Sequence, residues 1–350
     1  MAGAAESPES PSPRLAQVLA RRTVTAIAAI VILSVPFAVF AAISGQVTAA
    51  SWAALGGAVA LTNLMIGGQA IAYLSVGLLT ALTPVAIVSG SVPVAGAGLM
   101  AIMCFGVGLS ARQGLHRGML LIPMYLAFMI IAPPPWSGHT AVDRTSTSYL
   151  LWNMLFLGGG ALWAALVFPL VLRQRKPAPR PEPWTRDDTV VYTVTITVLC
   201  TASTLGVLLW RPGSDGAWLV LTLLAITQFG ADAHLKRTLG RIAGTITGVV
   251  IAAIIASVTN SETTLLAIGL VLLVITVVIM LGPHSYVLYS IFITPTVVLF
   301  TSTSIADVAN TDRQRLAFTL IGSALILLAC GLTLAWAHYQ EAHPSAAVEA

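Results

Sequence analysis

Apolar residues form long runs in this chain, and short polar, glycine or proline segments separate the runs. Between Arg22 and Arg112 there is no Asp, Glu, Lys or Arg. A membrane-spanning helix needs about 20 apolar residues, so this stretch alone holds about four helices joined by tight turns. The whole pattern predicts twelve membrane segments, at 24–43, 52–66, 71–88, 92–110, 118–132, 149–172, 190–210, 217–229, 241–257, 264–281, 286–302 and 316–336.

Polar, proline-rich stretches divide the chain into two halves. Residues 1–20 begin with MAGAAESPESPSP, a composition typical of a disordered tail. Residues 173–188 (RQRKPAPRPEPWTRDD) are too short to fold alone and are predicted to form an extended cytoplasmic linker. This linker separates a first membrane repeat, 21–172, from a second, 189–338. A cytoplasmic tail, 339–350, is expected to follow.

The two halves share features at corresponding positions. The stretch SWAALGGAVALTN at Ser51 matches AWLVLTLLAITQ at Ala217, and each has a tryptophan in second place, Trp52 or Trp218. Pro123 and Pro295 interrupt the fifth segment of each half. Two copies of an even number of spans have the same orientation. The sequence therefore predicts an all-α integral membrane protein with about twelve transmembrane helices, arranged as two six-helix repeats of the same orientation.

The composition agrees with a membrane protein and excludes several other classes. Hydrophobic residues make up 57%, charged residues 9%, and the mean hydropathy is +0.89, whereas soluble domains contain about 25% charged residues. The net charge is +4, but the basic residues are scattered at segment ends, so no nucleic-acid partner is expected. Cys104, Cys200 and Cys330 lie in apolar runs without metal-ligand spacing and are predicted to be packing residues, with no metal site.

The basic residues also predict the orientation in the membrane. If both termini are cytoplasmic, thirteen basic residues lie inside and four lie outside, which is the expected bias. The four outer residues are Arg144, Arg211, Arg313 and Arg315. The Arg21-Arg22 pair before the first run also resembles the start of a secretion signal, but the run is as long as a full span, so we expect it to be retained.

The stretch from His234 to Ala256 combines two signals. Gly240, Gly244 and Gly248 recur every four residues and leave one helix face open to a second backbone, as in packed membrane helices. Lys236, Arg237 and Arg241, together with His234, lie near the start of this helix. There they either bind an anion, favoured by the helix dipole, or anchor the helix end at the headgroups.

The sequence contains no recognisable catalytic motif, so we expect no enzyme, no catalytic residue and no cofactor. No carboxylate lies deep in a predicted span. Asp232 is the acidic residue nearest to the basic turn and is a candidate partner of Arg237 or Arg241, and Asp312 is a similar partner of Arg313 and Arg315 on the outer side. His116 and His284 precede the fifth segments, as either a proton-sensitive pair or interfacial anchors.

Transport suits the remaining residues better. Matched interruptions in two repeats, here Pro123 and Pro295, point to a substrate site near the membrane midplane. Thr294 and Thr296 beside Pro295 are expected to bond either a substrate carboxylate or a freed backbone carbonyl. Further uncharged polar groups in or beside the apolar segments are Asn63, Gln69, Tyr73, Asn153 and Gln228.

The second half resembles the fusaric-acid-resistance-like family, whose members are also called aromatic acid exporters. The resemblance lies in GAWLVLTLLAITQFGADAHLKRTLGRIAGTITGVVIA and in RQRLAFTLIGSALILL, and specifically in Gln228, Arg241, Gly244-Thr245, Gly248, Arg315 and Gly322. The first half has Tyr73 to Gly77 where the Arg and Gly-Thr belong. The resemblance implies a transporter of the bacterial inner membrane. Many members carry a cytoplasmic domain between the halves, for which this linker is too short.

Two functions follow as hypotheses. The first is a secondary transporter that exports small amphipathic organic anions, such as aromatic carboxylic acids or related toxic compounds, with Arg241, Thr245, Gln228, Asp232, Lys236, Arg237, Thr294, Pro295, Pro123 and Arg315 as binding or gating residues. The second is a noncatalytic scaffold for cell-envelope assembly. The expected partners are the lipid bilayer, the organic anion, and either a second copy of the chain or an envelope protein.

Overall fold

Helices account for nearly all of the described chain, and these ranges contain no strand. The computed structural model describes residues 23–25, 27–32, 35–37, 39–40, 43, 49–134, 142–171, 183–210, 215–227, 231–259, 262–280, 286–301 and 305–342.

Each predicted segment overlaps a helix. The first half contains α1 (Thr23–Phe37), α2 (Ala49–Gly67), α3 (Gln69–Ser89), α4 (Pro93–Ser110), α5 (His116–Met119), α6 (Leu121–Ile131) and α7 (Thr147–Val171). The second half contains α8 (Arg186–Trp210), α9 (Ala217–Ile226), α10 (Ala231–Val258), α11 (Glu262–Met280), α12 (Tyr286–Thr301) and α13 (Ile305–Ala342). The predicted fifth segment is divided into α5 and α6 by a turn at Leu120.

Six helices in the described part are long and apolar enough to cross a membrane, judged by length and composition. They span Gln69–Ser89, Pro93–Gln113, Thr147–Leu170, Arg186–Trp210, Arg237–Val258 and Arg313–Leu332. The other helices contain shorter apolar stretches of 10–17 residues. At about 1.5 Å per residue, such stretches are shorter than the hydrocarbon core of about 30 Å. The chain is therefore a helical membrane protein, and the count of twelve spans stays a prediction.

One hydrophobic core extends from the first half to α8, α9 and α13, whereas α10, α11 and α12 contribute to two smaller clusters. Within the first half α7 packs against α2 and α3, and within the second half α12 packs against α10 and α11. The main contact between the halves joins α4 to α8, where Cys104 and Cys200 are buried side by side and share a hydrogen bond. A second contact joins α6 to α9. These two contacts place α9 and α6 at the boundary between the halves.

Small residues allow α2 and α7 to approach closely. A Cβ on Gly56 would collide with the backbone carbonyl of Leu157, and a Cβ on Gly160 would collide with that of Ala53. Apolar burial gives helices little reason to associate in lipid, so close backbone packing of this kind supplies much of the attraction. The glycines therefore fix the register of α2 on α7.

Arg144 joins the ends of two helices. It donates hydrogen bonds to the carbonyl oxygens of Ile87 at 3.0 Å, Ile130 at 2.8 Å and Ile131 at 3.2 Å. The last carbonyls of a helix have no partner within the helix, and a cation there is also favoured by the helix dipole. Arg144 therefore has a structural role beyond the outer charge that the sequence predicted.

The two matched prolines occupy different local structures. Pro123 follows the break between α5 and α6, as expected, but α12 runs through Pro295 without interruption. The hydroxyls of Thr294 and Thr296 donate to the carbonyl oxygens of Ser290 and Phe292, at 2.9 Å and 2.7 Å. Neither hydroxyl bonds Ile291, whose carbonyl loses its donor to the proline, so the packing of α12 on α10 is what supports the helix there.

Candidate functional site

The seam between α10 and α12 is built on the three glycines spaced four apart. A Cβ on Gly240 would lie 3.0 Å from Cγ2 of Val287, one on Gly244 would collide with Ser290, and one on Gly248 would lie 2.5 Å from Cβ of Thr294. Residue numbers rise together on both helices, so α10 and α12 run side by side in the same direction. The seam holds the side chains next to these glycines at fixed positions.

Arg241 follows directly after the first glycine of this seam and points into the protein. Its side chain is only 3% exposed, and its Nε has no hydrogen-bond partner. Thr245, one turn further along α10, is fully buried, and its hydroxyl also has no partner. Within the described part of the chain, no acidic side chain pairs with Arg241. The result is a buried cation next to a buried hydroxyl.

Arg315 on α13 is a second buried cation, with 1% of its surface exposed. Its Cζ atom lies 4.0 Å from the ring centroid of Trp218 on α9. Trp218 in turn meets Phe128 of α6 edge to face at 5.2 Å, and Phe128 meets Trp52 of α2 at 6.1 Å. The two tryptophans that the sequence matched between the halves therefore lie on either side of one phenylalanine.

Tyr289 on α12 connects the two arginines. It interacts electrostatically with both Arg241 and Arg315, and also with Tyr125 from α6 of the first half. Both tyrosines lie deep in the protein, yet each keeps part of its surface accessible. α6 and α12 share no extended contact in the described residues, so the two tyrosine side chains reach toward each other from opposite halves.

Hydroxyl groups extend the polar surface beyond Arg315. Thr319 and Ser323 follow it on α13 at intervals of four residues, and Thr222 lies opposite on α9. All three are buried, and their hydroxyls have no hydrogen-bond partner among the residues that the structure describes. Buried polar groups in proteins are nearly always bonded, so these hydroxyls are suited to a ligand or to water.

Basic residues from both halves meet near the other end of α10. The guanidinium of Arg237 lies 4.8 Å from the ring centroid of Tyr286, and Arg117 of α5 interacts electrostatically with Arg237. Two like charges at this position raise the local positive potential. Arg241 lies one helical turn further into the protein than Arg237. A continuous series of cations therefore leads from this end of the bundle toward Arg315.

One acidic residue near the site was not singled out by the sequence. Asp215, in the turn before α9, interacts electrostatically with Arg315, and its backbone N–H donates to the Gln314 side chain at 3.4 Å. Burial raises the pKa of Asp215 above its usual value, and the charge of Arg315 opposes that rise. Its sequence position, outside every apolar run, gave no signal of this contact.

The other predicted residues are distributed as follows. Thr294 and Pro295 lie in the seam against Gly248, and Pro123 is buried in α6. Asp232 and Lys236 lie on α10, but their side chains are outside the described residues, as is all of Gln228. The proposed partnerships of Asp232 and Asp312 therefore stay predictions.

His116 occupies a different environment from the interfacial one that the sequence allowed. Its ring is fully buried, 4.6 Å from the ring of Trp184 and 5.9 Å from that of Tyr192. Trp184 lies near the end of the predicted linker, and its backbone N–H donates to the carbonyl of Ala111 at 3.3 Å. His116 thus helps to attach the linker to the first half, and His284 lies outside the described residues.

Comparison with known families agrees with the predicted resemblance. Residues 193–329 match the sequence model of a family described as "Fusaric acid resistance protein-like". The match lies within the second half of the chain and covers less than half of its length. Comparisons with curated proteins and with solved structures give no match.

The fusaric acid resistance protein-like region contains only part of the site. It includes Trp218, Arg241, Tyr289 and Arg315, together with the α10–α12 seam. The residues that face it from the first half, Arg117, Tyr125, Phe128 and Trp52, lie outside the match. The family region therefore supplies both buried cations, and the first half supplies part of the aromatic surface.

Proposed function

We propose that this protein is a secondary transporter that exports small amphipathic organic anions, such as aromatic carboxylic acids or related toxic compounds, across the bacterial plasma membrane. The observation that supports this proposal most directly is Arg241. It is a buried cation on a helix of membrane-spanning length, without an acidic partner in the described part of the chain.

The burial of Arg241 needs an explanation because a buried charge is energetically unfavourable. Removing a charge from water costs several kcal/mol even after relaxation, and the cost is recovered only through a partner of opposite charge. Charged residues inside membrane-spanning segments usually mark a substrate or ion pathway. A carboxylate suits Arg241 because the guanidinium can donate two parallel hydrogen bonds to its two oxygens. Thr245 adds a further donor beside it.

The aromatic residues supply the second part of the recognition. Trp218, Phe128 and Trp52 form a row of rings that begins at Arg315. Rings pack edge to face with one another, and each such contact contributes about 0.5 to 1.5 kcal/mol beyond the buried area. A ligand with a ring and a carboxylate would contact both the row and the cations. An amphipathic aromatic anion is therefore the preferred substrate class.

The arrangement of charge suggests a route. Arg117 and Arg237 attract an anion to one end of the bundle, Arg241 binds it in the interior, and Arg315 receives it on the far side of Tyr289. Each step moves the anion between fixed cations without leaving it unpaired. The absence of a nucleotide-binding motif in the sequence favours an existing gradient as the energy source.

The proposal includes the duplicated, twelve-crossing architecture with both termini cytoplasmic. Corresponding helix pairs pack in both halves: α2 on α7 as α9 on α13, α3 on α7 as α10 on α13, and α3 on α6 as α10 on α12. This correspondence supports an internal repeat. Tyr125 and Tyr289 then meet where two equivalent halves face each other, and transporters built on repeats bind their substrates at such a boundary.

Export can be tested in cells. Cells with and without the gene are loaded with radiolabelled aromatic acids, and their accumulation is measured with and without an uncoupler. The wild-type protein should lower accumulation, Arg241→Ala at an equal membrane level should not, and Arg313→Ala, at an exposed position of α13, should behave as wild type. Undiminished export by Arg241→Ala would refute the site. No effect of the wild-type protein on any acid, combined with an envelope defect in Gly244→Leu, would favour the scaffold.

A further inference from the structure

Asp215 is placed where it can compete with a bound anion. The turn before α9 holds it beside α13, because its N–H donates to Gln314 and its carbonyl accepts from the N–H of Trp218 at 3.0 Å. Trp218 carries the guanidinium of Arg315 on its ring face. Asp215 and Trp218 therefore lie in one turn at the start of α9, and both interact with the same cation.

Few other charges act on Asp215 in the described residues. On α13 the neighbouring Arg313 is exposed, and the last turn of α8 carries no ionisable side chain. Tyr125 on α6 and Arg241 on α10 are grouped around Tyr289 instead. Arg315 is thus the charged group that interacts with Asp215. The two residues form an electrostatic pair that a substrate carboxylate would have to disrupt.

We propose that Asp215 is a built-in competitor of the transported anion for Arg315, so that its ionised form promotes anion release and its protonated form retains the anion. This inference rests on the proposed transport function. The step is a simple proton exchange: the Asp215 carboxylate takes one proton from the adjacent aqueous phase and becomes neutral. Arg315 then keeps its full positive charge for the anion. When Asp215 loses the proton again, its negative charge returns beside Arg315 and weakens the anion's attraction.

The direction of the pH effect follows from linkage. Arg315 holds down the pKa of Asp215 in the empty protein, while burial raises it. A bound anion neutralises Arg315 and removes that restraint, so the loaded protein binds a proton more readily. By reciprocity, protonation strengthens anion binding by the same factor. The affinity should therefore rise as the pH falls through the range in which Asp215 titrates.

Benzenesulfonate is a suitable probe because it stays ionised at every pH used, so that a pH effect reports on the protein. Equilibrium binding of radiolabelled benzenesulfonate is measured on the purified full-length protein between pH 4 and pH 8. For the wild type, Kd should fall by about three- to tenfold for each unit by which the pH is lowered through the titration of Asp215, since the uptake of one proton is coupled to anion binding. Asp215→Asn should bind at every pH as tightly as the wild type does at the acidic limit.

Asp143→Asn provides the matched control. Asp143 is also in a loop, but Thr145 hydrogen bonds lower its pKa and it is fully exposed, so this variant should keep the wild-type pH dependence. If the wild type and Asp215→Asn show the same pH dependence, the role of Asp215 is refuted and the transport proposal stands. If the wild type binds the probe at no pH, the proposed anion site itself is refuted.

Discussion

The guanidinium of Arg315 lies 4.0 Å above the indole ring of Trp218, and this contact joins α9 to α13. Trp218 lies at the start of α9, and Arg315 lies on the last helix of the chain. An aromatic face stabilises a cation without neutralising it, so Trp218 fixes the orientation of Arg315 and leaves its positive charge in place. The contact with Trp218 therefore orients the Arg315 guanidinium for the proposed anion binding.

Replacing Trp218 tests this orienting role. Trp218→Leu should raise the Kd for an aromatic carboxylate by about 2- to 30-fold, which corresponds to a cation–π contribution of about 0.5 to 2 kcal/mol. Trp218→Phe should retain much of the affinity because a ring is still present. Trp210→Leu is the control, since Trp210 on α8 is 83% exposed. Equal affinities for Trp218→Leu and Trp210→Leu would contradict the role of the ring.

Phe128 is expected to set the preference for aromatic over aliphatic anions. Its ring packs between Trp218 and Trp52, so Phe128→Leu removes two edge-to-face contacts from the row. Export of benzoate should fall by about 2- to 10-fold relative to export of hexanoate. Phe105→Leu, at an exposed position of α4, should leave the ratio unchanged. A ratio that is equally unchanged in Phe128→Leu would exclude the aromatic row from substrate recognition.

The α10–α12 seam should tolerate no added carbon atom at Gly244. A methyl group there meets Ser290, so Gly244→Ala should lower the free energy of unfolding by about 1 to 3 kcal/mol through overpacking. At Gly106 on α4 there is open space around the new atom, and Gly106→Ala should be neutral or slightly stabilising. Thermal unfolding followed by tryptophan fluorescence compares the two variants. A Gly244→Ala protein as stable as Gly106→Ala would show that the seam is loose.

Arg144 should contribute to stability rather than to transport. Arg144→Ala leaves three helix-end carbonyls without their charged donor, which should cost about 1.5 to 3 kcal/mol. Arg144→Lys should recover only part of this stability. The positive charge is kept, but one ammonium group cannot reach all three oxygens with the same geometry. Arg313→Ala, at an exposed position, serves as the control. Export per folded molecule should be unaffected in all three proteins.

The sequence predicted the helical segments well because apolar length is a local property. It also matched Trp52 with Trp218 and identified Arg241, Arg315 and the glycine series. It could not show that Phe128 lies between the two tryptophans, since that contact depends on how α6 packs against α9 and α2. Asp215 was missed for the same reason, because only the packing of α13 on α9 brings it near Arg315.

The predicted interruption of the helix at Pro295 was wrong for a different reason. A proline removes one backbone donor, and from the sequence alone this was interpreted as a break. In the structure Thr294 and Thr296 bond their own helix, and Gly248 allows α10 to support the helix around the proline. Tertiary packing therefore decided whether the proline ended the helix.

Equilibrium binding of radiolabelled benzoate to the purified protein tests the central claim most directly. The wild type should bind benzoate saturably, and Arg241→Gln and Arg315→Gln, which keep hydrogen-bonding groups but remove the charge, should each bind at least tenfold more weakly. Folded yield and thermal unfolding of each variant are measured in parallel. Wild-type protein that shows no saturable binding, or variants that bind as tightly as the wild type, would contradict an anion site at the two buried arginines.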